Sequence, residues 1–139
     1  SDPAKTYIHE RGLNPELLEI GYNSGQFHHG NRKDETLIND CLQVGLLSVH
    51  DRLGRTGETS YKAFGKGCIV FAVRNKQYQV SGLYFRSTIN TQDQKHFYLK
   101  DRKGLYPGYP ATTTERLILT EAIIDAATLL QQPDITRDY

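Results

Sequence analysis

Two runs rich in β-branched and aromatic residues, Cys68 to Arg74 and Gln79 to Arg86, stand on either side of the polar triplet Asn75-Lys76-Gln77. A connection this short cannot carry the chain back for a parallel pairing, so the two runs are expected to form an antiparallel hairpin. The hairpin lies at the middle of the 139 residues, and the flanking segments have to cover its two faces.

Helix and turn signals divide those flanks. Asp2-Pro3 predicts a helix running to about Arg11 and stopped by Gly12, and Asn14-Pro15 predicts a second, short one through Leu17 and Leu18. Ile20 to Asn23 reads as a strand and Gln26 to Lys33 as a polar loop. Asp34 opens a helix whose Leu37, Ile38, Cys41 and Leu42 share one face, and Gly45 closes it before a short strand, Leu46 to Val49. Asp51 to Ser60 reads as a turn or loop, His96 to Leu99 as a further strand, and Lys100 to Pro110 as loop from its Gly and Pro. Leu117 to Thr120 reads as a buried strand and Ala122 to Gln131 as a helix ended before Pro133. Helices and strands mix without strict alternation, which predicts an α+β module, residues 1–110, joined to the start of an α/β unit, residues 111–139.

The 37% hydrophobic content is enough for a core, and no apolar run nears the ~20 residues of a membrane span. Cys41 and Cys68 are far apart with no CxxC, which argues against a disulfide framework or a zinc site and fits a reducing cytoplasm. The formal charge of +1 hides a strong partition. Residues 1–59 carry six Lys/Arg against nine Asp/Glu, residues 60–109 nine against two, and residues 110–139 two against five. The net charges are therefore −3, +7 and −3, and the basic middle holds ten of the fourteen Tyr and Phe. Cations that neutralise phosphates, interleaved with rings that stack on bases, make a nucleic-acid surface. The same composition also serves an ordinary sheet with an aromatic core and a charged face.

Several stretches, in order, resemble the catalytic core of bacterial DnaG-type primases. "YIHERGLNPELLEIGY" is similar to its opening, and the helix from Asp34 followed by Gly45-Leu46-Leu47 resembles the segment that follows. "YKAFGKGCIVFAVRNKQYQVSGLYFR" resembles the family's central hairpin, with its Phe-Pro-Ile and terminal Gly-Gly-Arg. "KHFYLKDRKGLYPGYP" is similar to its Lys-Tyr-Leu and Lys-Gly-x-x-Leu-Tyr elements, and "LILTEAIIDAATL" resembles the first Toprim motif, Val-Glu-Gly-x-x-Asp. Ala72 in place of proline, Tyr84-Phe85 in place of two glycines and Ala122 in place of glycine depart from the pattern, a drift that resembles mobile-element or phage-type primases.

The resemblance implies a nucleotidyltransferase that makes short RNA primers for DNA replication. This chain would be the N-terminal part of its polymerase core running into Toprim, inactive alone. The implied partners are single-stranded DNA template, nucleoside triphosphates and, through other regions, a replicative helicase. Mg²⁺ (or Mn²⁺) is the implied cofactor of the complete enzyme, with zinc only in an upstream domain. A non-catalytic single-stranded nucleic-acid-binding module, or another Toprim enzyme such as a topoisomerase or nuclease, is the alternative.

Glu121 carries the implied chemistry. A carboxylate where a strand passes into a helix is well placed to bind Mg²⁺ or to act as an acid/base. It could equally complement the positive helix N-terminus. Asp125 matches the motif's Asp and would share a helix face with Glu121 if both are helical. Arg86, Lys95 and Lys103 match family cations that would grip template or nucleotide phosphates, with Lys100 competing for the position given to Lys95. Arg11 corresponds to a further basic position, though a cation is also favoured there by the helix end. His28-His29 lack Cys or acids at metal-ligand spacing, and Gly54 with Gly57 make no phosphate loop.

Overall fold

The computed structural model describes residues 2–27, 33–89 and 93–139; His28 and His29 lie outside them. The described chain is an α+β fold built on the expected hairpin. Strands β4 (Cys68–Arg74) and β5 (Val80–Ser87) pair antiparallel from Cys68↔Ser87 to Arg74↔Val80, with an irregularity between Val73 and Arg74. Strand β1 (Gly21–Asn23) adds beside β4 and β6 (His96–Tyr98) beside β5, giving an antiparallel sheet in the order β1-β4-β5-β6. A separate two-stranded ribbon joins β2 (Leu47–Val49) to β3 (Tyr61–Ala63).

Side chains alternate across the sheet, and the two faces take different cover. Ile69, Phe71, Val73 and Tyr84 point to one face, where α1 (Asp2–Glu10) and α3 (Ile123–Leu130) lie. Ala4, Tyr7, Leu13, Leu18, Ile124 and Ala127 complete that core, with Phe71 fully buried. Each large side chain enclosed here stabilises the fold by about 1.5–3 kcal/mol. On the other face Phe85 meets Phe64 edge-on at 5.2 Å. There α2 (Glu35–Val44) and the ribbon stand over the sheet, and an open cavity of about 280 Å³ lies between Cys41, Leu47, Val70 and Phe85.

Local signals explain the ends of the elements. Asp34 caps α2 by accepting from the Leu37 amide at 3.0 Å. Gly45 closes the helix at φ 87°, a left-handed conformation that favours glycine. A final short helix, α4 (Pro133–Asp138), begins at the proline expected only to end its predecessor, because proline suits a first helical position. Among the described residues no helix is long and apolar enough to cross a membrane.

Two expectations are corrected. Residues after Asn14-Pro15 form a turn, with the Leu17 and Leu18 amides both donating to the Asn14 carbonyl, and no second helix develops. Leu117 to Thr120 is not a buried strand: the segment has no regular structure, and Leu119 is 85% exposed. A strand exists through pairing with a neighbour, and no described strand lies beside this one.

Candidate nucleic-acid interface

The alternation that sends Tyr84 inward sends Arg86 to the same face two residues later, at the edge where core gives way to surface. Antiparallel pairing sets Tyr84 opposite Tyr98 and Arg86 opposite His96. Helix α1 approaches from the side and brings Tyr7 to the same place. Arg86 Nε donates to the Tyr7 hydroxyl at 2.9 Å, and Arg86 Nη1 donates to His96 Nε2.

These bonds fix the state of the imidazole. A guanidinium can only donate, so His96 Nε2 must be an unprotonated acceptor, and the ring proton lies on Nδ1. Nδ1 then donates to the Tyr84 hydroxyl at 2.5 Å. Partial desolvation at the sheet edge, then the nearby charges of Arg86, Arg11 and Lys95, lower the His96 pKa from its ordinary value and favour the neutral ring. Burial pushes the Tyr84 hydroxyl up to about 12, so it remains a phenol.

Arginines and tyrosines alternate around this centre. Arg11 lies over the Tyr7 ring at 5.4 Å, Arg86 over the same ring at 5.9 Å, and Arg102 over the Tyr98 ring at 3.9 Å. Tyr98 in turn packs against Tyr84 with ring centres 5.1 Å apart. The arginines can neutralise phosphate, whereas the Tyr7 and Tyr84 rings are buried and Arg102 covers Tyr98, so the tyrosines serve as supports for the cations and not as free faces for bases.

The predicted site residues are only partly brought together. Arg86 and Arg11 share Tyr7, and exposed Lys95 follows the chain into β6, its carbonyl accepting from the Ser87 amide. Arg86 is not the solvated strand cation expected of a surface charge, since it is only 8% exposed. Lys103 lies toward the other end of the hairpin, where its carbonyl accepts from Ser81 Oγ. Five residues along β5 separate Ser81 from Arg86, roughly 17 Å of extended chain. The neighbouring Gly104 explains that placement. It has φ 94°, and a Cβ there would lie 2.3 Å from Ser81 Oγ and 2.5 Å from the Arg74 carbonyl oxygen.

Glu121 is exposed and precedes Ala122, the N-cap of α3, which makes no side-chain cap bond. Asp125 is exposed in the first turn, so the two acids do not share a helix face in the way two helical residues would. The far end of α3 is anchored: Gln131 donates to the Gly12 carbonyl and accepts from the Asn14 amide. Among the described residues no three His, Cys, Asp or Glu side chains gather into one cluster.

His96, Tyr7 and Arg102 are the members that sequence reasoning missed. The period-two pattern Tyr84, Arg86 and His96, Tyr98 was available as a signal, but pairing the two required the register between β5 and β6.

No protein-family model and no curated protein matches the chain by sequence. Solved structures do match. The chain is similar to the E. coli primase catalytic core, with a TM-score of 0.56 and 20% identity over 73% of this chain and 32% of that one. It is similar to a DnaG primase catalytic domain bound to ssDNA, with a TM-score of 0.53 and 20% identity over 69% of this chain and 29% of the other. For the Aquifex aeolicus primase zinc-binding and RNA polymerase domains the values are 0.55, 18%, 73% and 25%. The chain thus spans less than a third of the length of these structures, and it resembles the primase catalytic core in fold.

Proposed function

We propose that this chain is part of a DNA primase core and contributes a binding surface for single-stranded DNA template and for nucleotides. The observation that carries the reading is the cluster of Arg11, Arg86 and Arg102 on Tyr7 and Tyr98, set on a fold resembling DnaG catalytic cores. One of the similar structures is a primase domain bound to ssDNA, which supports the assignment of the ligand.

In the complete protein, Glu121 would supply one carboxylate to a Mg²⁺ (or Mn²⁺) site or act in proton transfer, with Asp125 supporting it. Lys95 and Lys103 would extend the phosphate track. Residues 111–139 would open a Toprim unit, and the whole protein would synthesise RNA primers beside a replicative helicase in the cytoplasm. Fluorescence anisotropy with a labelled single-stranded oligonucleotide, at low and high salt, tests the binding. Affinity should be independent of sequence and fall steeply with salt, by a log–log slope of about −0.7 per phosphate neutralised. Affinity that ignores salt overturns the reading.

A further inference from the structure

Arg86 is a buried charge without a buried counter-charge. The ion pairs among the described residues join Arg74 to Glu19 and Arg137 to Asp134 and Asp138, and none includes Arg86. Its hydrogen-bond partners, Tyr7 and His96, are both neutral. A fold that used this arginine only for packing would be expected to pair it with a carboxylate, since an uncompensated buried charge is costly. The guanidinium nitrogens are also unequally used. Nε and Nη1 are each bonded, while Nη2 has no partner among the described residues. No buried side-chain nitrogen or oxygen among those residues lacks a partner, so Nη2 reaches the surface.

Bonds to two nitrogens fix the plane of a guanidinium, and a fixed fork loses little freedom when it binds an anion. We infer that Tyr7 and His96 are positioning residues for phosphate recognition, holding Arg86 so that Nη2 meets a phosphate oxygen of a nucleic-acid backbone or a nucleoside triphosphate. The inference rests on the nucleic-acid reading above. His96 serves only as the neutral, Nδ1-protonated ring, because a cation at this position cannot accept from Arg86. Its lowered pKa supports that state.

The test uses the full chain at fixed salt and neutral pH. Binding of a labelled single-stranded oligonucleotide and of a fluorescent nucleoside triphosphate is measured alongside thermal melting. Tyr7→Phe keeps the ring and removes the acceptor, and His96→Leu removes the other acceptor; each should weaken binding about tenfold. His96→Gln keeps an acceptor near Nε2 and should stay within about threefold of the parent, less than one charged hydrogen bond is worth. His96→Lys should weaken binding although it adds a positive charge. A purely structural role would move melting temperature without this order, and bulk electrostatics would make His96→Lys the tightest binder. Either result overturns the inference. If Arg86→Gln binds both ligands like the parent, the nucleic-acid role of Arg86 itself fails. If Arg86→Gln weakens binding but the Tyr7 and His96 variants do not, only the positioning role fails. An effect confined to the oligonucleotide identifies the backbone as ligand; one confined to the triphosphate identifies the nucleotide.

Discussion

Arg86 and His96 face each other across the β5–β6 pairing, and the guanidinium donates to the imidazole. One bond therefore ties the protonation state of a histidine to the pose of the arginine in the candidate site.

The first prediction concerns pH. The unfolded chain takes up a proton on His96 near pH 6.5, about the ordinary value, whereas the folded chain does so only at lower pH. Stability from this group is therefore fully present above about pH 6.5 and is lost as pH falls through the folded value. Urea denaturation at neutral and mildly acidic pH should show a smaller acid loss for His96→Gln than for the parent. Equal losses would mean that other groups control the response.

Arg86→Ala should weaken binding of single-stranded DNA more than Lys76→Ala does. Arg86 lies within the tyrosine–arginine cluster, while Lys76 is exposed at the hairpin turn, its ammonium 5.8 Å from the Tyr109 ring. Loss of a charge-assisted phosphate contact costs about 1.5–3 kcal/mol. Anisotropy titrations of the two variants at the same salt measure the difference, and equal effects would reduce the site to bulk charge.

Gly104→Ala should destabilise the fold by about 1–3 kcal/mol, from a left-handed φ and the close approach of Ser81 and the Arg74 carbonyl. Chemical denaturation of this variant, beside Gly57→Ala as a control for left-handed φ without crowding, separates the two contributions.

Phe71→Ala empties a fully buried position and should cost about 3–5 kcal/mol. Leu119→Ser lies in the exposed segment before α3 and should change stability by less than about 0.5 kcal/mol. A large loss at Leu119 would show that the segment packs in solution.

In a complete enzyme Glu121→Gln should lower primer synthesis at least ~10²-fold if the carboxylate acts at the metal or in proton transfer. As a helix-terminus charge alone it would instead cost roughly 0.3–1 kcal/mol of stability. Primer yield and thermal melting on one variant distinguish these outcomes.

Local chemistry made the central elements readable. The β4–β5 hairpin, the Asp34 cap and the glycine stops at Gly12 and Gly45 all depend on residues adjacent in the chain. What escaped depends on partners distant in sequence. Strand β3 is only three residues long and exists because β2 pairs with it. Leu117 to Thr120 has strand composition but no described neighbour to pair with. The candidate site divides in the same way: motif likeness singled out Arg86 and Arg11, whereas Tyr7 and His96 join them only after α1 docks and β6 takes its register.

The shared packing of α1, α3 and the sheet has a consequence for how the molecule opens. Ile124 and Ala127 rest in the same core as Tyr7 and Tyr84, so Tyr7, one of the two residues that hold Arg86, and the helix that follows Glu121 depend on one set of contacts. Loosening that core releases the acid's helix and the Tyr7 side of the guanidinium clamp together. In amide hydrogen exchange, α1, α3 and the middle of β5 should then behave as one unit with a common opening free energy. A chain breathing in that way leaves Arg86 tethered from the sheet edge alone, by His96 across the β5–β6 pairing.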